Sequence, residues 1–409
     1  LTLVNLPMPS LHYRTIFLIF LKLGCVAFGG PAAHLIFFHQ TFVKQLNWIN
    51  DQQYAQLVAL AQILPGPTSS QVGLAIGYVK KGYGGAVVAW LGFTLPSAIL
   101  MTTVAILGQQ FFPLFSSAFF HSIQLIVLAV VTWAFWQMLR SFCTQLWQYI
   151  LMLCSALFIY SVSLPMNQIM VIFIAALLGL FFAPKNRLTS ENNTENSSLI
   201  PLISSTKRSY AYLWLVLFIL PFLIFPLVNG LQKSTLLQTV ESFYRTASLV
   251  FGGGHIILPF LHQDFVATGL VSAEKFDLGY AFAQLIPGPL FSFASYIGAL
   301  TPLTAFSGLN GSIATLAIFS PSFLLIFGTL PYWSWLMNQA YIRHAVVGIN
   351  AAVVGLLLYM VLQMAQHYII KITDVLFVGV VIGLLKTKLP VWLSLIGSFF
   401  IHQLILSFL

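Results

Sequence analysis

Residues 28–43 read FGGPAAHLIFFHQTFV, and residues 251–266 read FGGGHIILPFLHQDFV. The two stretches share FGG, HQ and FV at a constant offset of 223 residues. Further matches follow in the same order: QILPGP (62–67) with QLIPGP (284–289), IG (76–77) with IG (297–298), and PS (96–97) with PS (321–322). So many matches at near-constant spacing indicate that the chain is built from two homologous halves.

The composition around these motifs is that of a membrane protein. Of the 409 residues, 59% are hydrophobic and only 6% are charged, against about 25% charged residues in soluble domains. So few charges cannot cover the surface of a soluble protein, whereas a surface in contact with lipid needs none. The composition excludes a soluble enzyme, a disordered chain and a disulfide-stapled secreted domain. It predicts an all-α polytopic membrane protein.

Apolar runs of about 20 residues, the length that crosses a bilayer, recur along the chain. Thirteen segments meet or approach that length: 14–36, 56–79, 84–108, 116–139, 146–163, 166–183, 209–229, 240–261, 277–299, 311–330, 345–365, 372–385 and 390–408. We expect ten to thirteen of them to cross. The long polar stretch 184–208 predicts a cytoplasmic linker between an N-terminal repeat (1–183) and a C-terminal repeat (209–409).

Basic residues indicate the orientation, because lysine and arginine favour the cytoplasmic side. If every run crosses and the N-terminus is cytoplasmic, most bases outside the spans, Lys275 among them, fall inside. Lys44, Lys233 and Lys371 then fall outside. The two FGG motifs would be separated by an odd number of crossings. We therefore expect repeats of inverted topology, a common plan of secondary transporters.

Two basic residues lie within apolar runs at equivalent positions. Lys22 and Arg245 each stand six residues before FGG. Charges inside the membrane are costly and commonly serve a transport pathway, so both are candidate ligands of an anion. Alternatively, each side chain extends to the membrane interface, with Arg245 paired to Glu241 one helical turn earlier.

We expect the helices to break at FGG and at PGP, because glycine and proline both interrupt helical structure. The ends of broken helices expose free backbone N–H groups, which suit an anion. The candidate substrate-binding residues at these breaks are Gly29, Gly30, Gly252, Gly253, Pro65, Gly66, Pro67, Pro287, Gly288 and Pro289. The alternative is a set of kinks that serve helix packing alone.

Further polar residues lie close to these motifs. Gln62 and Gln284 are candidate donors to an oxyanion, or partners of a neighbouring helix. The candidates for proton coupling are His34, His255, Asp264 and Asp277. For each of them a structural or interfacial role is the alternative.

The sequence resembles the chromate ion transporter (CHR) family of the bidomain, long-chain type. The resemblance rests on FGGPAAH (28–34), WIND (48–51), QILPGP (62–67), GYVKKGYGG (77–85), LPS (95–97) and, in the second half, FGGG (251–254) and QLIPGP (284–289). It implies a bacterial inner-membrane protein with two oppositely oriented halves. It also implies efflux of chromate, driven by the membrane potential or a proton gradient, that confers chromate resistance.

We therefore expect a secondary active transporter that works by alternating access. Uptake or exchange of sulfate or another oxyanion is the alternative, since sulfate has the charge and shape of chromate. A membrane-embedded enzyme would need an activating partner or a metal set, and neither is evident; nor is a Walker A, HExxH or GxSxG motif. The expected partners are a chromate- or sulfate-like oxyanion and the lipid bilayer, with a homodimer left open. We expect no nucleic acid, cofactor, metal or catalytic residue.

Overall fold

The computed structural model describes residues 12–162, 167–183, 210–231, 234–251, 253–387 and 389–408. Within these ranges every regular element is helical, which confirms the all-α prediction. The predicted linker 184–208, Lys233 and Gly252 lie outside the described residues.

The α-helices are α1 (Tyr13–Val26), α2 (Gly30–Phe38), α3 (Asp51–Ile63), α4 (Thr68–Phe111), α5 (Ser117–Phe142), α6 (Leu146–Ser161), α7 (Asn167–Phe182), α8 (Ala211–Leu231), α9 (Thr235–Leu249), α10 (Ile257–Leu261), α11 (Ala273–Leu285), α12 (Phe293–Leu300), α13 (Ser307–Thr329), α14 (Trp333–Asn338), α15 (Ala340–Tyr368), α16 (Ile372–Leu385) and α17 (Val391–Phe408). Segments within the described residues that are long and apolar enough to cross a membrane are 68–111, 117–142, 211–228, 307–332 and 340–368. The predicted breaks are confirmed, since no helix runs through FGG or PGP in either half.

Helix α4 consists of two arms joined by a sharp turn. Gly82 has a φ of 63°, in the left-handed region that glycine favours. A side chain on Gly77 would collide with the carbonyl oxygen of Gly85, so the chain folds back on itself at this turn. We call residues 68–80 the first arm and residues 83–111 the second arm.

The FGG motifs are the tips of hairpins within the bundle. The ring of Phe20 in α1 lies 5.8 Å from the ring of Phe38 in α2 and 4.8 Å from that of Phe42 just beyond it. Helix α2 therefore returns alongside α1. In the second half, the rings of Phe243 and Phe265, the counterparts of Phe20 and Phe42, stack at the same 4.8 Å.

The PGP motifs are hairpin tips as well. The Lys80 ammonium lies 6.0 Å from the centre of the Trp48 ring, so the start of α3 and the end of the first arm share one end of the molecule. In the second half, the Tyr296 hydroxyl of α12 donates to the carbonyl oxygen of Lys275, near the start of α11, over 2.8 Å.

Four of the predicted spans are therefore not single crossings: 14–36, 56–79, 240–261 and 277–299. Each turns back at its glycine- and proline-containing break. At most nine of the thirteen segments remain as single crossings, so the expected ten to thirteen was too many. Hydropathy alone does not distinguish the two cases, because two half-length helices inside a bilayer are as apolar as one full span.

This refolding moves two lysines relative to the other bases. Lys44 bonds to Asp51 at the start of α3 over 2.9 Å, so it lies at the Lys80 end of the molecule. Lys275 lies 5.5 Å from the Phe112 ring, at the far end of the second arm. Relative to Lys80, the predicted side of each was wrong, because the assignment counted one hairpin as a crossing before Lys44 and three before Lys275. Lys44 and Lys275 change sides in opposite directions. The numbers of basic residues assigned to the two sides therefore stay the same.

One pair of equivalent helices, the second arm of α4 and α13, runs antiparallel. The second arm of α4 and α13 correspond, since each carries one of the two PS pairs. Near the start of the second arm, the Tyr83 ring lies 4.8 Å from that of Phe327, at the end of α13. Near its other end, the Gln109 amide donates to the carbonyl oxygen of Ala299, just before α13, over 3.3 Å.

Candidate functional site

The four breaks meet in pairs, each pair taking one break from each half. The Gly66 N–H donates to the carbonyl oxygen of Val250, directly before the second FGG, over 2.7 Å. The Gly288 N–H donates to the carbonyl oxygen of Ala27, directly before the first FGG, over 3.0 Å. Ala27 and Val250 are equivalent positions in the repeat. Each half therefore satisfies a backbone group of the other at its break.

The meeting point lies near the centre of the bundle. Ser97, halfway along the second arm of α4, bonds through Oγ to the Ser292 hydroxyl over 2.6 Å. Ser292 follows the second PGP motif closely. If the second arm spans the bilayer, the breaks lie close to its midplane, where irregular backbone needs shielding by protein.

The glycines of the PGP motifs are required by conformation and by space. Gly66 and Gly288 have φ values of 119° and 104°. A Cβ atom at Gly66 would lie 2.8 Å from the Ser322 hydroxyl, and one at Gly288 would lie 2.8 Å from the Ser97 hydroxyl. Their N–H groups are already bonded, so the prediction that these two amides serve an anion does not hold in this conformation.

The prolines beside these glycines are shielded from solvent at the same meeting point. Pro65, Pro67 and Pro289 are buried, and Pro287 is half-buried. A proline has no N–H to satisfy, which suits a shielded position between two helix ends.

The first FGG motif opens α2 with left-handed backbone. Gly29 has a φ of 99° and Gly30 a φ of 75°. No atom lies within 4 Å of a Cβ placed on Gly30, so backbone conformation and not space requires glycine there. Gly29 and Phe28 are exposed, whereas Phe251 and Gly253 of the second motif are half-buried. The first tip is the more accessible of the two.

The two equivalent bases have different surroundings. Lys22 is exposed, and no hydrogen bond or ion pair holds it among the described residues. Arg245 is 19% exposed and bonds to Glu241 over 3.1 Å and to both oxygens of Asp264 over 2.8 and 2.9 Å. The alternative interpretation of Arg245, an ion pair with Glu241, therefore holds, and Asp264 adds a second carboxylate to that pair. Asp264 is one of the residues considered for proton coupling.

The histidines are bonded to structural neighbours. His34 Nε2 lies 3.0 Å from the Ala27 carbonyl oxygen, and Nδ1 lies 3.2 Å from the Ser69 hydroxyl. These partners favour the neutral ring with the proton on Nε2: Nε2–H donates to the Ala27 carbonyl oxygen, and Nδ1 accepts from the Ser69 hydroxyl. His255 Nδ1 lies 2.6 Å from the hydroxyl of Tyr280.

The two glutamines differ in exposure. Gln62 is exposed and Gln284 is half-buried. The Gln284 Nε2 atom is buried, and the Gln284 side chain faces the hydroxyl of Tyr280. Of the two glutamines, Gln284 is the one shielded by protein, so it is the better placed candidate donor to an oxyanion.

Asp277 and His34 are the most deeply buried of the candidate proton carriers. Asp277 is 1% exposed, and its Oδ2 accepts a hydrogen bond from Tyr368 over 2.6 Å. No basic side chain pairs with it among the residues that the structure describes.

The sequence prediction missed the hydroxyl-rich lining of the meeting point. Side chains there that are at least nine-tenths buried are those of Ser69, Ser70, Gln71, Thr94, Ser97, Ser292 and Ser322. The signal was present in the polar run TSSQ directly after the first PGP, and in the serine that follows Pro96 and Pro321. Serine and threonine are common in membrane helices for packing, so the run alone did not indicate a site.

Known proteins match both halves of the chain. The family described as Chromate transporter matches residues 14–180 and 237–402, two regions whose starts differ by the repeat offset of 223. An uncharacterized transporter of Methanocaldococcus jannaschii is 28% identical over 357 residues, covering 86% of this chain and 84% of that protein. Chromate transport proteins of Pseudomonas aeruginosa and Cupriavidus metallidurans are each 26% identical, covering 88% and 92% of this chain and 82% and 88% of those proteins. No solved structure matches.

Proposed function

The chain belongs to the chromate transporter family, and from this premise we propose that it exports chromate by alternating access. Membership in a family of transporters makes the chain a multi-pass membrane transporter and not an enzyme. In the proposal it lies in the inner membrane with a cytoplasmic N-terminus, and its halves have inverted topology. The membrane potential or a proton gradient drives export, which confers chromate resistance.

The reciprocal contact between the breaks is the observation that carries this proposal. Gly66 bonds to Val250 and Gly288 bonds to Ala27, so the same contact occurs twice in opposite directions. A structure with two such equivalent contacts offers two equivalent ways to open. Opening one contact exposes the centre to one side of the membrane, and opening the other exposes it to the opposite side.

In this proposal Lys22 supplies the positive charge that attracts the anion. Its charge is uncompensated, whereas Arg245 is balanced by two carboxylates. We assign Arg245 to holding α9 against the residues after α10, because Asp264 lies there. Gly29 and Gly30, at the tip that opens α2, contribute backbone N–H groups, and Gln284, beside Tyr280, contributes its side-chain amide.

Proton coupling is assigned to Asp277. A buried carboxylate without a basic partner is costly, so it favours the protonated form and releases the proton when water reaches it. Asp264 is less suited because Arg245 holds it. His34 and His255 remain candidates through their bonds to Ser69 and Tyr280. Assembly as a homodimer stays a prediction.

Chromate flux into everted membrane vesicles tests this function. Vesicles that contain the protein should accumulate chromate, faster with an imposed proton gradient than without it. Unlabelled sulfate should compete. If chromate instead enters intact cells faster and makes them more sensitive, the protein is an oxyanion importer, and export is wrong.

A further inference from the structure

The internal repeat places four serines at two sets of equivalent positions near the centre of the molecule. Ser70 and Ser292 each stand third after their PGP motif. Ser97 and Ser322 each follow the proline of a PS pair, on the second arm of α4 and on α13. Equivalent contacts in the two halves would thus be Ser97 with Ser292 and Ser322 with Ser70.

Only the first of these two contacts is made. The hydroxyls of Ser97 and Ser292 are 2.6 Å apart. The Ser70 hydroxyl, which is buried, has no hydrogen-bond partner in the described part of the chain. Ser322 lies instead 3.5 Å from the side-chain amide nitrogen of Gln71. The two halves are therefore alike in sequence at this point but differ in pairing.

The unpaired hydroxyl lies in a setting that suits an anion. Ser70 is 2% exposed and Gln71 is 0% exposed. Ser70 belongs to the first turn of α4, where the helix dipole is positive and the backbone N–H groups lack helical partners, whereas the Gln71 N–H bonds to the Pro67 carbonyl oxygen over 2.9 Å. The Gln71 amide donates to the carbonyl oxygen of Pro65 over 2.6 Å, which fixes it beside the break. A second buried hydroxyl without a partner among the described residues, that of Thr94, lies one turn before Ser97.

We propose that Ser70 and Ser322, with the Gln71 amide, form a neutral binding site for a tetrahedral oxyanion, and that Ser97 and Ser292 form its closed counterpart. This inference rests on the proposed transport function and names the residues that hold the substrate. In one state of the transporter the anion lies between Ser70 and Ser322 while the other pair is closed. In the opposite state the pairing is exchanged.

Neutral donors determine what such a site accepts. Hydroxyl and amide groups donate to any oxyanion with free acceptor oxygens, and they do not distinguish chromate from sulfate by charge. The site therefore selects by size and by hydrogen-bond acceptance. We expect sulfate to compete with chromate at similar concentrations.

Substitutions to alanine test the site, with chromate flux into everted vesicles as the measurement and sulfate as the competitor. Ser70→Ala and Ser322→Ala should each raise the KM for chromate at least about 10-fold, the typical effect of losing one hydrogen bond to a charged group. The sulfate concentration that halves chromate flux should rise in parallel. Ser398→Ala is the matched control, since Ser398 is also a buried serine without a partner among the described residues but lies in α17. It should leave both values unchanged.

The outcomes separate this inference from the proposed function. Removing the unpaired Ser70 hydroxyl leaves no other group unsatisfied, and in Ser322→Ala the Gln71 amide keeps its shorter bond to Pro65. The amount of protein in the membrane should therefore stay constant in both variants, and it is measured alongside flux. If the unsubstituted protein moves chromate and both variants keep its KM, the serine site is wrong and transport stands. If the unsubstituted protein moves neither chromate nor sulfate, the transport function itself fails.

Discussion

At the scale of single residues, Lys22 and Arg245 are equivalent in the repeat but not in their surroundings. The carboxylates that bind Arg245 come from Glu241 and Asp264. No such pair surrounds Lys22, which stays exposed. In the proposed function the unpaired charge of Lys22 attracts the anion, whereas Arg245 joins α9 to the residues after α10.

Lys22→Gln should reduce chromate flux at least about 10-fold, because the uncompensated charge near the first FGG is removed. Flux into everted vesicles is the measurement, normalised to the amount of protein in the membrane. Lys44→Gln, a change at an exposed lysine remote from the breaks, is the control and should leave flux unchanged. Equal flux in the two variants would exclude Lys22 from the site.

Arg245→Gln should destabilise the protein more than Lys22→Gln does. Asp264 is 17% exposed, and removal of its partner leaves a poorly solvated carboxylate. Breaking a buried ion pair in this way costs about 3–5 kcal/mol. Thermal unfolding in detergent measures the effect, and the double variant Arg245→Gln with Asp264→Asn should recover much of the lost Tm. If the double variant is no more stable than the single one, the ion pair does not explain the loss.

At the scale of helices, the breaks depend on glycine at two positions. Gly66→Ala and Gly288→Ala should each impair folding and transport, because alanine is strained at φ values of 119° and 104° and its Cβ would crowd a serine hydroxyl. Protein level and chromate flux are the measurements. Gly379→Ala is the control: nothing lies within 4 Å of a Cβ there, and the residue is in the middle of α16, where alanine favours the helix. Normal flux in either PGP variant would contradict this account of the turn.

The sequence predicted where the helices break but not where the chain goes afterwards. Glycine and proline have local effects, so FGG and PGP could be identified as breaks without any structure. The return of α2 along α1 depends on tertiary contacts such as Phe20 with Phe42, which hydropathy does not encode. Likewise, the bonds of Gly66 and Gly288 to the opposite half join residues far apart in the chain. The sequence of one motif does not indicate which residue of the other half it bonds to.

At the scale of the whole molecule, the hairpins reassign the sides of two lysines. In a background without the native cysteines, Lys44→Cys should react with a membrane-impermeant maleimide from the same side as Lys80→Cys, and Lys275→Cys from the opposite side. The reason is that Lys44 and Lys80 share one end of the bundle, while Lys275 lies by Phe112 at the other. Labelling of intact cells against everted vesicles is the measurement. Labelling of Lys44→Cys and Lys80→Cys from opposite sides would mean that the first half crosses at FGG after all.

The exchange of hydrogen bonds between the halves also has a consequence for biosynthesis. A ribosome delivers the first half to the bilayer before residues 250–288 have been made. Until then the Gly66 N–H has no Val250 to bond with, while the Ala27 carbonyl has only His34 of its own half. Unpaired backbone groups are costly inside a bilayer. The nascent first half therefore stays incomplete, and a late step of assembly is the moment when the second half enters and closes both contacts.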